Sequence, residues 1–288
     1  MPLLLLTALA LCLLAANSLL TRAGVLDGTD PLLFALMRVA AGAAVLSLLA
    51  LGREVTLGGR HRWGGALALT IYLLAFSLAY RTLDAGLGAL LLFATVQLAL
   101  FALSLLQGER SGPVRISGMA VALAGLAWLL LPGGGVEASP VDAGLMIVAG
   151  LGWAGYVAAG RREPRPLAGS AGNFAVSTGM MALLVPLLLL ALPSPAGPPA
   201  ITAAGALYAL LSGGVASGLG YAILFRVLPR MGVATAGVAQ LAVPVIAMAG
   251  GAALLAEWPA PRALLAGALV LAGIALATLR RPRTRPAT

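Results

Sequence analysis

Apolar runs about twenty residues long follow one another along nearly the whole chain, with gaps too short to hold a soluble domain. They fall at roughly 3–21, 31–51, 63–80, 85–106, 114–131, 141–160, 170–192, 201–225, 232–255 and 262–279. A helix of about 20 apolar residues crosses the hydrocarbon layer of a bilayer, where each backbone polar group must be bonded within the span. The pattern therefore predicts an all-α membrane protein with ten transmembrane helices. Turn chemistry marks the breaks: Asp27-Gly28-Thr29-Asp30-Pro31, Pro132-Gly133-Gly134-Gly135, Pro193-Ser194-Pro195 and Pro259-Ala260-Pro261. Only 9% of residues are charged, against about 25% in soluble domains, so a soluble globular fold is excluded. The first run is expected to stay as a helix rather than be removed as a signal peptide. Met1-Pro2-Leu3 offers no basic leader, and the run is longer than a secretory apolar core.

All 18 basic side chains other than the single histidine are arginine. Alternate gaps divide them unevenly. Arg22, Arg81 and Arg262 fall on one side and fourteen on the other, with Arg38 inside the second run. Positive loops are retained in the cytoplasm, so an even number of spans with both termini cytoplasmic is expected. The net charge of +9 is then a topology signal. Nucleic-acid binding would need a basic patch on a folded face, and no such partner is expected. Cys12, the single cysteine, lies inside the first run, which excludes an intrachain disulfide or a cysteine metal site.

One segment recurs. Gly108-Glu109-Arg110-Ser111-Gly112-Pro113, followed by Leu123-Ala124-Gly125, returns 148 residues later as Ala256-Glu257-Trp258-Pro259-Ala260-Pro261, followed by Leu271-Ala272-Gly273. Chance similarity in a low-complexity chain is one reading. The other is a duplication, because both copies follow corresponding runs, the fourth and the ninth. Two halves, 1–135 and 136–288, would then hold five spans each. An odd number forces the second half to insert upside down, giving two inverted five-helix repeats around a central cavity.

These residues resemble the EamA-type transporters of the drug/metabolite transporter superfamily. The similarity rests on Arg38 within Leu36-Met37-Arg38-Val39, on Gly108-Glu109-Arg110, and on Gly118 and Gly125. It also rests on Trp153-Ala154-Gly155-Tyr156, Pro244 and Glu257. It spans the chain as two consecutive five-helix units, and the aromatic and neutral amino-acid exporter branch looks most alike. One departure is Thr95-Val96-Gln97, where the family often has proline midway along helix four. The resemblance implies export of small metabolites such as amino acids across a bacterial inner membrane, by alternating access.

Polar side chains at membrane depth need a partner or a water-filled cavity, which makes them site candidates. Tyr72, Phe76 and Tyr80 recur every four residues in the third run, one face of a helix, and Phe93, Gln97 and Phe101 do so in the fourth. Rings can cover apolar bulk or attract an ammonium group, and Gln97 can bond a carboxylate or amide. Trp153 and Tyr156 in the sixth run, Asn17 opposite Tyr156 in the repeat, Tyr221 (in a short stripe with Phe225) and Gln240 join Tyr72, Phe76, Tyr80 and Gln97 as the expected substrate-binding residues. Helix packing, or an interfacial belt for Tyr80, is the competing reading. Helix nine is expected to bend at Pro244. Arg38 is a candidate for charge compensation or gating; it could also reach outward to Asp27, Asp30 or Asp84 as a structural ion pair. Glycines clustered in runs six and eight point to close helix packing.

No carboxylate lies deep in a run, and His61, the one histidine, sits in a gap. Proton relays use such intramembrane groups, so facilitated uniport is expected. Ser212 and Ser217 have no histidine or lysine within the runs to act as base. Enzymatic activity, a cofactor and a metal are therefore not expected. The expected partners are a small-molecule substrate and the lipid bilayer, with the chain a monomer. The alternatives are a proton-coupled transporter of other amphipathic solutes or drugs, and a non-carrier pore or assembly subunit.

Overall fold

The computed structural model describes residues 3–109, 111–131, 139–161, 163–191, 198–227, 230 and 239–279. The expected breaks at Pro132-Gly133-Gly134-Gly135 and Pro193-Ser194-Pro195, and Arg110 of the repeat, lie outside these residues. Within them the chain is helical: α1 (Leu3–Leu26), α2 (Pro31–Leu49), α3 (Arg60–Ala79), α4 (Ala85–Leu106), α5 (Pro113–Leu130), α6 (Pro140–Gly160) and α7 (Pro166–Ala191). The eighth, α8, is α-helical over Ala203–Leu210, π-helical over Leu211–Leu219 and α-helical again over Gly220–Val227. Then come α9 (Ala242–Leu254) and α10 (Pro261–Leu279). Among the described residues nine helices are long and apolar enough to cross a membrane, and α9 is a shorter apolar helix. The expected ninth span begins at 232, and its residues 232–238 lie outside the description.

Local chemistry places the helix starts. Proline opens α2, α5, α6, α7 and α10, because the first helical position needs no N–H and suits its fixed φ. Asp30 caps α2, its carboxylate accepting from the backbone N–H of Leu32 (2.8 Å) and Leu33 (3.2 Å). The π-helical stretch was not legible in the apolar pattern. It coincides with Ser212, Gly213, Gly214, Ser217 and Gly218, and a Cβ at Gly213 would collide with the Arg38 carbonyl. The widened turn lets α8 lie backbone-to-backbone against α2.

Between the first five helices and the rest, packing is selective. The most extensive partnerships are α3 with α6, α5 with α10, α1 with α8, α2 with α8 and α2 with α7. Next come α4 with α6, α4 with α9, α3 with α7 and α1 with α9. Lipid is as apolar as leucine, so close packing rather than water exclusion holds such pairs together. Glycine makes that approach possible: a Cβ on Gly118 would lie 2.6 Å from the Gly273 carbonyl, and one on Gly273 2.5 Å from the Gly118 carbonyl. Replacing Gly273 by valine is expected to force α5 and α10 apart at a cost of about 1–3 kcal/mol. The measurement is thermal unfolding in detergent, with Gly179→Val as the control because nothing lies within 4 Å of a Cβ there. Equal melting of the two variants would contradict the packing argument.

Ion pairs join residues that the arginine count assigns to the same side. On the arginine-poor face Arg22 pairs with Glu257 (2.6 Å) and Asp84 (3.8 Å), and Arg81 with Asp142 (2.8 Å). On the arginine-rich face Arg62 pairs with Glu163 (2.9 Å), Arg165 with Glu54 (2.9 Å) and Arg115 with Glu109 (3.6 Å). The alternation of faces along the chain is that of the sequence reading.

Candidate functional site

A cavity of about 480 Å³ penetrates the bundle, within the usual range for small-molecule sites. Its mouth is built from His61, Glu109, Arg115, Arg161 and Glu163, and it narrows inward to Gln97, Phe93, Trp153, Tyr156, Tyr221 and Gln240. None of its lining residues comes from the arginine-poor face. Thirteen residues separate Trp153 from Pro140 at the start of α6, about 20 Å of packed helix. The inner wall thus offers apolar rings, three amides and hydroxyls, with charge confined to the mouth.

Five of the expected site residues line this space: Gln97, Trp153, Tyr156, Tyr221 and Gln240. The other five form a layer beside it. Trp153 is the junction, its ring centroid 5.0 Å from Tyr72, 5.4 Å from Tyr156 and 5.3 Å from Tyr221. From Tyr72 the stripe continues to Phe76 (5.2 Å) and then Tyr80 (4.8 Å), buried rather than cavity-lining. Asn17 accepts from Ser212 Oγ (2.8 Å) and Ser217 Oγ (3.1 Å), which ties α1 to the π-helical turn.

Among the described residues no acidic side chain pairs with Arg38, so the outward ion pair, the alternative reading, is not the arrangement found. Asp30 is engaged as the α2 cap, Asp27 accepts from Thr202, and Asp84 is near Arg22. The Arg38 guanidinium instead turns inward over the Phe76 ring (4.9 Å) and the Tyr72 ring (5.5 Å). Its Nη2 donates to Tyr72 Oη (3.0 Å) and, at 3.5 Å, to Ser217 Oγ. The aromatic shelf on α3 offsets part of the cost of inward burial, and only tertiary packing could reveal that choice.

Several residues were missed. Asn173 and Ser170 on α7 line the cavity, and Ser170 accepts from Tyr156 Oη at 3.2 Å. An amide inside the seventh run was the same signal that flagged Gln97. Arg62, read as a loop charge, is buried: it donates to the Gly169 carbonyl, to Asn173 Oδ1 (3.0 Å) and to Glu163 (2.9 Å). No pattern in the sequence announced that bracket between α3 and α7. Arg115 stacks on Phe101 at 5.0 Å, placing a cation at the mouth. Among the described residues no three His, Cys, Asp or Glu side chains gather as a metal site.

At the opposite end an ion pair bridges the helices. Glu257 accepts from Arg22 Nε (2.6 Å) and from the Ala85 backbone N–H (2.8 Å), while Arg22 also donates to the Tyr80 carbonyl (2.9 Å). One carboxylate therefore ties α1, the α4 start and the approach to α10. Pro244 falls in the first turn of α9, and the helical path is interrupted at Leu241 rather than bent at the proline itself. Proline cannot donate to the Gln240 carbonyl four residues back, which accounts for the break.

The family model described as the EamA-like transporter family matches residues 143–279. An uncharacterized protein of Pseudomonas aeruginosa is 46% identical over 276 residues, covering 95% of this chain and 93% of that protein. A solved crystal structure aligns with a TM-score of 0.67 at 22% identity, covering 96% of each chain, a likeness of fold.

Proposed function

The chain belongs to the EamA-like transporter family of the drug/metabolite transporter superfamily, and we propose from this that it exports small amphipathic metabolites, amino acids above all. The observation that carries the reading is the chamber inside the helix bundle, lined by charged residues at the arginine-rich face and by rings and amides deeper in. Positive loops favour the cytoplasm, so that mouth is cytoplasmic, as are both termini, in a bacterial inner membrane. Rings on the floor suit apolar side chains or an ammonium group, and Gln97, Gln240 and Asn173 supply hydrogen bonds.

Alternating access follows if residues 1–135 and 136–288 are inverted repeats. The helix partnerships support this. Exchanging α1 with α6, α2 with α7, α3 with α8, α4 with α9 and α5 with α10 turns the α3–α6 contact into α8–α1. It likewise turns α4–α6 into α9–α1 and α3–α7 into α8–α2, and each of these partners is present. The α2–α7, α4–α9 and α5–α10 contacts map onto themselves. A structure with this symmetry can trade the packing of its halves and open the opposite mouth. The Arg22–Glu257 closure is the external gate in the state described here.

The test is counterflow of radiolabelled amino acids by purified protein in liposomes. Saturable, stereoselective uptake is expected. Flux that neither saturates nor distinguishes enantiomers would make the protein a pore and end the carrier reading. The carboxylates lining the chamber, Glu109 and Glu163, stand at its mouth, so uniport is the proposed energetics. A pH-sensitive dye inside the liposomes should stay unchanged during transport, and solute-driven acidification would overturn uniport.

A further inference from the structure

Three arginines with buried side chains show what this fold does with a cation. Arg22 (9% exposed) and Arg62 (6%) each hold a carboxylate, at 2.6 and 2.9 Å. Arg38 is more deeply buried, at 0% exposed, and among the described residues no carboxylate pairs with it. Its Nε and Nη1 have no hydrogen-bond partner among the described residues. Guanidinium cannot give up its proton in a protein, so the charge stays. An unpaired cation removed from water costs several kcal/mol, more than stacking on two rings returns.

The surroundings connect this charge to the chamber. Tyr72 Oη accepts from Arg38, and the Tyr72 ring packs on Trp153, which lines the chamber. Ser217, the second Arg38 acceptor, lies in the π-helical turn just before Tyr221, another lining residue. Two rings, Tyr72 and Trp153, therefore stand between an uncompensated cation and the solute space. The π-helical turn beside them is a type of irregularity found frequently at functional sites.

Resting on the transport reading above, we infer that Arg38 is the counter-charge for a carboxylate on the transported solute, reached when the Tyr72–Trp153 layer parts. The solute supplies the negative charge the protein withholds. A carboxylate fits the guanidinium through charge-assisted hydrogen bonds, and an amine of the same shape is repelled. The site thereby selects amphipathic acids and zwitterions over cationic amphipaths, which the rings alone would accept.

The experiment compares L-phenylalanine with L-phenylalaninamide, identical but for the carboxylate, in liposomes containing the full chain. Wild type is expected to prefer the acid at least tenfold in kcat/KM. Arg38→Gln should narrow that preference to within about twofold, while Arg38→Lys, which keeps a positive charge, retains most of it. Equal handling of acid and amide by wild type overturns the inference and leaves the carrier reading standing. So does an undiminished preference in Arg38→Gln. Transport of neither compound, nor of any other amino acid, overturns both. The wild-type arm needs no variant to fold. Raising chloride should leave the preference intact; its loss would assign the cation to an inorganic anion and refute the carboxylate.

Discussion

Trp153→Ala is expected to lower kcat/KM for the transported solute by at least 30-fold, with membrane insertion and monodispersity unchanged. The Trp153 ring is the junction at which Tyr72, Tyr156 and Tyr221 meet, within 5.0 to 5.4 Å of each. Buried aromatic anchors at binding surfaces commonly contribute 2 kcal/mol or more, and about 1.4 kcal/mol is a factor of ten in rate. Trp153→Phe retains a ring and should lose only a few-fold. Gln97→Ala and Tyr72→Ala should also lose transport, the first through a lining amide and the second through the partner of Arg38. Unchanged counterflow in all three alanine variants would remove this floor from the pathway.

Glu257→Gln should release the closed end. The carboxylate and Arg22 are both nearly buried, and losing one member of a buried pair commonly costs about 3–5 kcal/mol. When that loss falls on the inward-open state alone, even 3 kcal/mol changes the balance of states by about 100-fold. Cys12 is the chain's one cysteine, so a Cys12→Ser background with Thr21→Cys gives a clean reporter beside Arg22. Labelling by an impermeant maleimide from outside should accelerate at least tenfold in Glu257→Gln. An unaltered rate would show that the pair is not a gate.

The architecture was legible because hydrocarbon leaves little freedom. Run length fixes the helices, proline fixes their starts, and arginine placement fixes which ends share a face. That Gln97, Trp153, Tyr156, Tyr221 and Gln240 line a cavity was legible for a related reason, since polar groups at depth need a partner or a water-filled space. The same rule should have selected Asn173. Direction was not legible: Arg38 could turn outward to carboxylates or inward to rings. That choice depends on Gly213 admitting the α2 backbone and on the shelf of Tyr72 and Phe76. Arg62 escaped for a like reason: besides Thr56, its acceptors Gly169, Asn173 and Glu163 lie more than a hundred residues away on α7 and the segment before it.

The glycine seam between α5 and α10 also orders biosynthesis. Leu130 is translated 149 residues before Leu279, about 7–30 s at ordinary elongation rates of ~5–20 residues per second. Throughout that interval the Gly118 face has no mate, and lipid or the insertion machinery must shelter it. The first five helices are thus committed to the membrane while this joint waits for the ribosome to reach α10.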